Sequence, residues 1–228
     1  MMQTIILYYS LLAANIFYVA PTTELRLDFL PSYAQAPLDL AVEGETTTVR
    51  IEKLKCYLSN FELFKGTQRV FVENNSFHLL DASIPNSLSF SLKIPSDLSF
   101  SELRFNIGID STTHAGGVFG GDLDPMHGMY WTWQSGYINF KLEGRAAACP
   151  ARKNKFQFHL GGYQYPFNTL QEVRLPIKGK KSIVVAIELD ELLSSIDLAT
   201  DYLIMSPNAA AVKMAQQLPA IFSIQDEN

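Results

Sequence analysis

The sequence predicts an all-β fold, an antiparallel β-sandwich of the Ig-like or cupredoxin-like kind with one short C-terminal helix. From residue 25 onward, short apolar runs are separated by Pro, Gly, Asn and Ser, which is the pattern of strands joined by turns. Several runs alternate apolar and polar residues, which is typical of strands with one buried face. At 228 residues the chain can bury one core, and a β-sandwich of this length need not be divided.

The first half of the chain supplies the outer strands and one strand that passes through the core. The alternation in residues 46–51 continues into the apolar residues 54–58, and this combination indicates the core strand. Leu88, Phe90 and Leu92 share one face of a further strand, because side chains alternate with a period of two. The strand candidates are residues 25–29, 46–51 with 54–58, 61–64, 70–72, 77–80 and 88–92.

In the second half, residues 182–188 are nearly continuous in hydrophobicity, which predicts a central strand. The most convincing helix spans residues 206–218, with Ser206 as its cap and Pro207 in its first turn. A short helical turn is expected at residues 190–193. The remaining strand candidates are residues 156–160, 173–177 and 221–224.

The charge balance argues against a nucleic-acid partner. The chain has 18 Lys and Arg against 23 Asp and Glu, a formal net charge of −5. Nucleic-acid binding depends on neutralising phosphates with basic side chains, so this balance gives no electrostatic basis for it.

Residues 1–23 contain no charged side chain and have apolar runs, which is the length and character of a signal peptide or leader. We therefore expect export to the periplasm or cell surface and a mature domain over residues 24–228. One alternative is an N-terminal membrane anchor, because an uncharged stretch of this length could span a bilayer once. The other is that the stretch results from a misassigned start site. The two cysteines, Cys56 and Cys149, could form one disulfide after export, although their surroundings slightly favour free thiols.

Residues 105–144 concentrate the unusual side chains. An apolar strand enters, a glycine-rich loop follows and an aromatic strand leaves, so we expect a hairpin. Trp131 and Trp133 are two residues apart and would share one face of the second strand. The loop carries His114 and His127, which could reach a site or be solvated. Neither a calcium-loop spacing, nor a nucleotide-binding glycine motif, nor a hydrolytic triad is supported by this segment.

The four histidines are the candidate metal ligands. His78 and His159 each occur in a Phe-His-Leu sequence within a strand, and His114 and His127 lie in the glycine-rich loop. Imidazoles drawn together from separate strands would make a transition-metal site. Any single histidine is more often packed or exposed than bound to metal, so the residues alone leave both interpretations open.

Several motifs, taken in order, resemble the MbnP-like copper-binding family. The most specific is Gly-Met-Tyr-Trp-Thr-Trp-Gln-Ser-Gly-Tyr at residues 128–137. The likeness extends from residue 25 to the C-terminus, and the other motifs are Lys-Cys-Tyr-Leu-Ser-Asn at 55–60, Phe-His-Leu-Leu-Asp at 77–81, Phe-Asn-Ile-Gly-Ile-Asp-Ser at 105–111, Leu-Asp-Pro at 123–125, Lys-Leu-Glu-Gly at 141–144 and Phe-Gln-Phe-His-Leu-Gly-Gly-Tyr at 156–163.

This resemblance implies a periplasmic or surface β-sandwich that binds copper and is not itself an enzyme. It further implies that a partner di-haem enzyme of the MbnH type oxidises one tryptophan, Trp131 or Trp133, to kynurenine. The modified side chain would then join histidines at the metal. In the matching motifs, His78 and His159 are the expected ligands, with His114 and His127 as secondary candidates.

A function of another class remains open at this point. A metal-free recognition module could bind glycan or protein through exposed aromatic rings. Burial separates the two hypotheses, because recognition needs exposed, coplanar rings, whereas copper binding needs histidines beside a tryptophan. The rings concerned are those of Tyr130, Trp131, Trp133 and Tyr137.

Overall fold

The computed structural model describes residues 21–40, 49–133 and 136–225. The expected leader falls almost entirely on residues 1–20, outside these ranges, as do residues 46–48 of the predicted core strand. The first strand already begins at Thr22. Among the helices of the described residues, none has the length and apolar character needed to cross a membrane.

The described chain folds into two packed sheets, which confirms the predicted β-sandwich. In the smaller sheet, β12 lies between β14 and β1, so the predicted central position of residues 182–188 is confirmed. The β1 strand pairs in parallel with β12 and antiparallel with β6 and β2. The strands of this sheet are β1 (Thr22–Tyr33), β2 (Ala36–Pro37), β6 (Ser89–Pro95), β12 (Ser182–Glu188) and β14 (Phe222–Gln225).

The larger sheet is organised around β3 (Val49–Lys65), a single strand that merges three of the predicted apolar runs. A register shift between Ser59 and Glu62, with Asn60 at a φ of 54°, lets the strand continue through its bend. The other strands are β4 (Gln68–Val72), β5 (Phe77–Asp81), β7 (Glu102–Ile107), β8 (Tyr130–Trp131), β9 (Gly136–Ala146), β10 (Lys155–Gly161), β11 (Gln171–Pro176) and β13 (Leu203–Ile204).

The main core lies between the sheets and is rich in phenylalanine and branched side chains. Phe29 of β1, Phe105 of β7 and Phe158 of β10 are fully buried within it. Cys56 and Cys149 are both buried there and unpaired, in line with the slight preference for free thiols. A second, smaller apolar cluster comprises Tyr57, Leu79, Ile109, Leu123, Met129, Trp131, Tyr137 and Ile138.

The expected hairpin at residues 105–144 does not form. Leu58 of β3 pairs with both His78 of β5 and Ile107 of β7, whereas Cys56 pairs with β5 and with β9. The strands β7 and β9 therefore follow one another along the same edge of β3 instead of pairing together. The loop between them contains helix α1 (Ser111–Ala115) and the 3₁₀ turns Gly121–Leu123 and Pro125–His127.

Both helices predicted near the C-terminus form, but the second is shorter at both ends than the predicted residues 206–218. Helix α2 (Leu189–Ser194) forms where a helical turn was predicted. Helix α3 (Ala209–Ala215) is capped by Asn208 and not by Ser206, because the Asn208 side chain accepts a hydrogen bond from Ala211 N at 2.8 Å. The chain then makes a 3₁₀ turn and closes with β14, as expected.

Candidate metal centre

Three neighbouring strands place a row of polar side chains on the outer face of the large sheet. Lys55 of β3 pairs with Lys141 of β9, which pairs in turn with His159 of β10. Residues paired across a sheet point to the same face, and Phe158 and Leu160 on either side of His159 point into the main core. His159 therefore points away from the main core, towards the side that the β7–β9 loop covers.

His159 is nearly enclosed and has an acidic partner. Its Nε2 atom lies 2.8 Å from Oε1 of Glu143, whose other carboxylate oxygen is 3.4 Å from Lys53 Nζ. The hydrogen bond from His159, with the nearby charge of Lys53, holds the pKa of Glu143 at about 2. A charged carboxylate on Nε2 fixes the imidazole and leaves Nδ1 as the nitrogen that could bind a metal.

The β7–β9 loop is fastened to this face by Asp122. Its carboxylate accepts a hydrogen bond from Leu79 N at 2.9 Å, and its carbonyl accepts one from the Tyr57 hydroxyl at 3.0 Å. These bonds tie the loop to β5 and β3, so its following residues lie over the sheet.

Two lysines support the next part of the loop. Lys55 Nζ donates to the carbonyl of His127 at 3.1 Å, and Lys141 Nζ donates to the carbonyl of Gly128. Burial lowers the pKa of Lys141 to about 8. The exposed His127 ring places Nδ1 3.2 Å from the Asp122 carbonyl, which leaves its Nε2 for other ligands.

The two tryptophans differ sharply in environment, contrary to the expectation of a shared strand face. Strand β8 contains only two residues, so Trp131 is in the strand and Trp133 is in the turn after it. Trp131 is 6% exposed and Trp133 is 65% exposed, with 5.8 Å between their ring centroids. A Cβ on Gly161 would come within 2.6 Å of the Trp131 ring, so this ring lies directly on β10.

A cavity of about 270 Å³ adjoins Trp131. Four of its nine lining residues are aromatic, and aromatic side chains are common in sites for small ligands. The lining residues are Trp131, Gly136, Gly162, Tyr163, Gln164, Tyr165, Pro166, Phe167 and Pro207.

His114 is buried, and both of its ring nitrogens are occupied. Tyr137 N donates to Nδ1 at 3.1 Å, so the ring proton resides on Nε2, which faces Asn139 Oδ1 at 3.4 Å. The ring stacks on Tyr163 with centroids 4.6 Å apart. A metal would have to displace one of these bonds, so His114 is built into the fold as a neutral packing residue.

His78 lies on the other face of the sheet. His78 pairs with Leu58 of β3, so these two side chains share one face. Lys55, which shares a face with His159, is three residues before Leu58 and therefore points the opposite way. The two histidines thus lie on opposite faces of the sheet. The His78 ring stacks on Phe90 of the small sheet at 3.8 Å, and its Nε2 lies 2.9 Å from Glu73. The fold therefore does not bring His78 to His159, contrary to the expectation that they share one ion.

Three polar residues of the site were missed in the sequence. Asn139, Lys141 and Glu143 alternate within the apolar run of β9, and all three point away from the main core. Polar residues at every second position of an otherwise apolar strand were the available signal, because polar groups in a buried strand require partners. Asn139 alone contacts Ile109, His114 and Thr169.

The described residues contain neither a complete set of metal ligands nor a complete aromatic binding platform. Among residues 21–40, 49–133 and 136–225, no group of three or more His, Cys, Asp and Glu side chains could hold a metal ion. The aromatic platform for glycan or protein recognition is also missing, because Tyr137 is fully buried and its ring is inclined by 76° to that of Tyr130. Two histidines, His127 and His159, keep a nitrogen available on the face that carries Trp131.

Acid is expected to lower the stability of the protein through His114. Burial lowers the pKa of His114 from 6.5 to about 4. Below pH 6.5 the unfolded chain therefore binds a proton at His114, whereas the folded chain binds it only near pH 4. The stability that depends on neutral His114 is fully present above pH 6.5. The free energy of unfolding should fall by about 2 kcal/mol between pH 7 and pH 5. Urea unfolding at the two pH values measures this loss. The variant His114→Gln should lose about that much of the pH dependence, and an unchanged decline in the variant would contradict the assignment.

Comparisons with known proteins agree on the family. The MbnP family model matches residues 22–210. Among solved structures, MbnP from Methylosinus trichosporium is similar in fold, with a TM-score of 0.58 and 15% sequence identity, over 90% of this chain and 98% of that chain. No curated protein matches the sequence. Because the family model covers well over half of the chain, the protein belongs to the MbnP family.

Proposed function

We propose that this protein is an exported, non-enzymatic copper-binding protein that handles, stores or delivers copper in the periplasm or at the cell surface. One observation carries the proposal. The Trp131 ring lies on Gly161, two residues from His159, with Trp133 5.8 Å away between ring centroids. Membership of the MbnP family and the resemblance to its copper-binding members support the same function.

His159 and His127 are the residues that would hold the ion. Each has one ring nitrogen near an oxygen acceptor, Glu143 or the carbonyl of Asp122, and each keeps the other nitrogen for a ligand. Metal-binding histidines usually have such a second partner, which fixes the ring and its tautomer. Neutral imidazole is a good ligand for copper, so the donors present fit the ion.

Oxidation of a tryptophan would supply a further donor beside the two histidines. Kynurenine has an aromatic amine and a ketone, whereas the indole nitrogen offers no lone pair. We assign the modification to Trp131, because its ring lies next to the strand that carries His159. Exposed Trp133 would then be the residue that a di-haem partner of the MbnH type reaches first.

Copper binding by single-histidine variants tests the ligand assignment. His159→Ala is expected to weaken copper affinity by at least about tenfold, because the substitution removes the imidazole ligand that Glu143 orients. His78→Ala is the matched control and should change the affinity by less than about twofold, since His78 faces the other side of the sheet. Equal losses in the two variants would show that the ion binds elsewhere.

The protein must also be measured in its oxidised state. Intact-mass and metal analysis after expression with the neighbouring gene products should show copper together with a modified tryptophan. Trp131→Phe should abolish the mass change, and Trp133→Phe should retain a modifiable Trp131. If neither the unmodified nor the oxidised protein binds copper, the proposed function is wrong.

A further inference from the structure

Cross-strand pairing builds a positively charged surface on the outer face of the large sheet. Arg50 of β3, Arg145 of β9 and Lys155 of β10 are paired in one row. The next row begins with Lys53, which pairs with Glu143. Paired residues point to the same face, so these side chains are neighbours away from the main core.

The first row contains three cationic side chains and fewer carboxylates than are needed to neutralise them. Like charges directly opposite one another destabilise a sheet. Glu52 relieves part of this repulsion, with oxygens 2.6 Å from Arg145 Nε and 3.7 Å from Lys155 Nζ. The Nε atom of Arg50, however, is buried without a hydrogen-bond partner among the described residues. The row therefore carries an excess of positive charge, and its exposed cations Arg145 and Lys155 have room for an additional anionic acceptor.

The connection between β9 and β10 extends this surface with the exposed side chains of Arg152 and Lys153. Six cations against two carboxylates, Glu52 and Glu143, leave a charge of +4, whereas the whole chain carries −5, so the remainder carries −9. Such asymmetry orients a protein as it approaches an anionic partner. We define the basic face as Arg50, Lys53, Arg145, Arg152, Lys153 and Lys155.

We propose that the basic face is a docking surface for a partner protein that presents a carboxylate-rich patch. Arginine binds carboxylates through two parallel hydrogen bonds, and Arg145 and Lys155 remain 45% and 41% exposed for such contacts. Strand β13 adds Leu203, which pairs with Gln157 beside the cations and is 58% exposed.

A protein partner fits this surface better than a membrane. The face is about four strands, or roughly 15 Å, wide. Membrane-surface binding by an amphipathic face requires several apolar side chains that insert below the headgroups. Among the described residues of β13 and the basic face, Leu203 is the one exposed large apolar side chain. Leu203 instead lies on the edge strand β13 beside the cations, and an apolar contact next to a charged, polar rim is common at protein interfaces. The inference does not depend on copper, so its failure and that of the proposed function can be told apart.

Binding to an immobilised deca-glutamate peptide tests the docking surface. The full chain is expected to bind this peptide, to ignore a deca-lysine peptide and to release the ligand as salt is raised. The double variant Arg145→Gln/Lys155→Gln should weaken binding about tenfold. The matched control Arg26→Gln/Lys93→Gln removes the same charge from the small sheet and should weaken it less than about twofold.

A second variant keeps the test valid if the sheet variant folds poorly. Arg152→Gln/Lys153→Gln changes only the exposed connection, and it should weaken binding by a measurable factor of about three with an unchanged thermal midpoint. Equal losses in the basic-face and control variants would overturn the proposal, because net charge alone would then explain binding. Binding to phosphatidylglycerol vesicles without binding to the glutamate peptide would also overturn it in favour of a membrane surface.

Discussion

Replacing Asn139 with alanine is expected to lower the free energy of unfolding by about 3 kcal/mol. The Asn139 side chain is buried and accepts hydrogen bonds from Ile109 N at 3.1 Å and from His114 Nε2 at 3.4 Å, while its amide donates to Thr169 Oγ1 at 3.0 Å. The alanine variant leaves these groups buried without their partner, and unsatisfied buried polar groups are costly. Chemical denaturation of both proteins measures the loss.

The effect of Asn139→Ala should extend to the site, because this side chain joins β9 to the segment after β7 and to α1. Asn168→Ala is the matched control, since Asn168 is exposed and should cost less than about 1 kcal/mol. A loss below about 1 kcal/mol in the Asn139 variant would mean that these polar groups find other partners. The Asn139 side chain would then not be what holds the His114 ring in place.

Replacing Gly161 with alanine is expected to displace Trp131 and to lower the free energy of unfolding by about 2 to 3 kcal/mol. A Cβ at this position would lie 2.6 Å from both the Trp131 ring and the Tyr137 carbonyl oxygen. The backbone oxygen cannot move away without disturbing β9, so the indole ring must leave the strand surface. In a Trp133→Phe background, fluorescence reports Trp131 alone and should shift to longer wavelength as the ring becomes solvated.

Gly120→Ala provides the control for the glycine substitution, because a Cβ there meets no heavy atom within 4 Å. Its emission and unfolding free energy should match those of the background protein. Unchanged emission in the Gly161 variant would show that the strand shifts while the indole stays in place. Copper affinities of the Gly161→Ala and Gly120→Ala variants would then show whether copper binding depends on the position of Trp131 or only on the overall stability of the protein.

The architecture was predictable because burial follows the alternation of the sequence. Phe158 and Leu160 point into the core and His159 points out, as the pattern of β10 predicts. The same local sequence, Phe-His-Leu, occurs in β5, yet there His78 points inward and Leu79 belongs to the second cluster. Which face of a strand is buried depends on its register with β3, and no local pattern contains that register.

The site was less predictable because its parts lie in irregular segments. Trp131 and Trp133 have the spacing of a strand face, but β8 ends at Trp131 and the chain turns there. The position of His127 is set by hydrogen bonds from two distant lysines, which only the tertiary fold brings beneath the loop. Such contacts join residues far apart in sequence, so neither propensity nor periodicity could reveal them.

The parallel pairing of β1 with β12 has a consequence for how the molecule assembles. Leu27 is aligned with Ile183, so the small sheet closes a loop that contains most of the polypeptide. Loop-closure entropy must be overcome before such a pairing contributes stability, and topologies of this kind fold slowly. The first strand therefore lacks this neighbour until residues 182–188 are available to pair with it. We expect acquisition of the native state to be a late, all-or-none event.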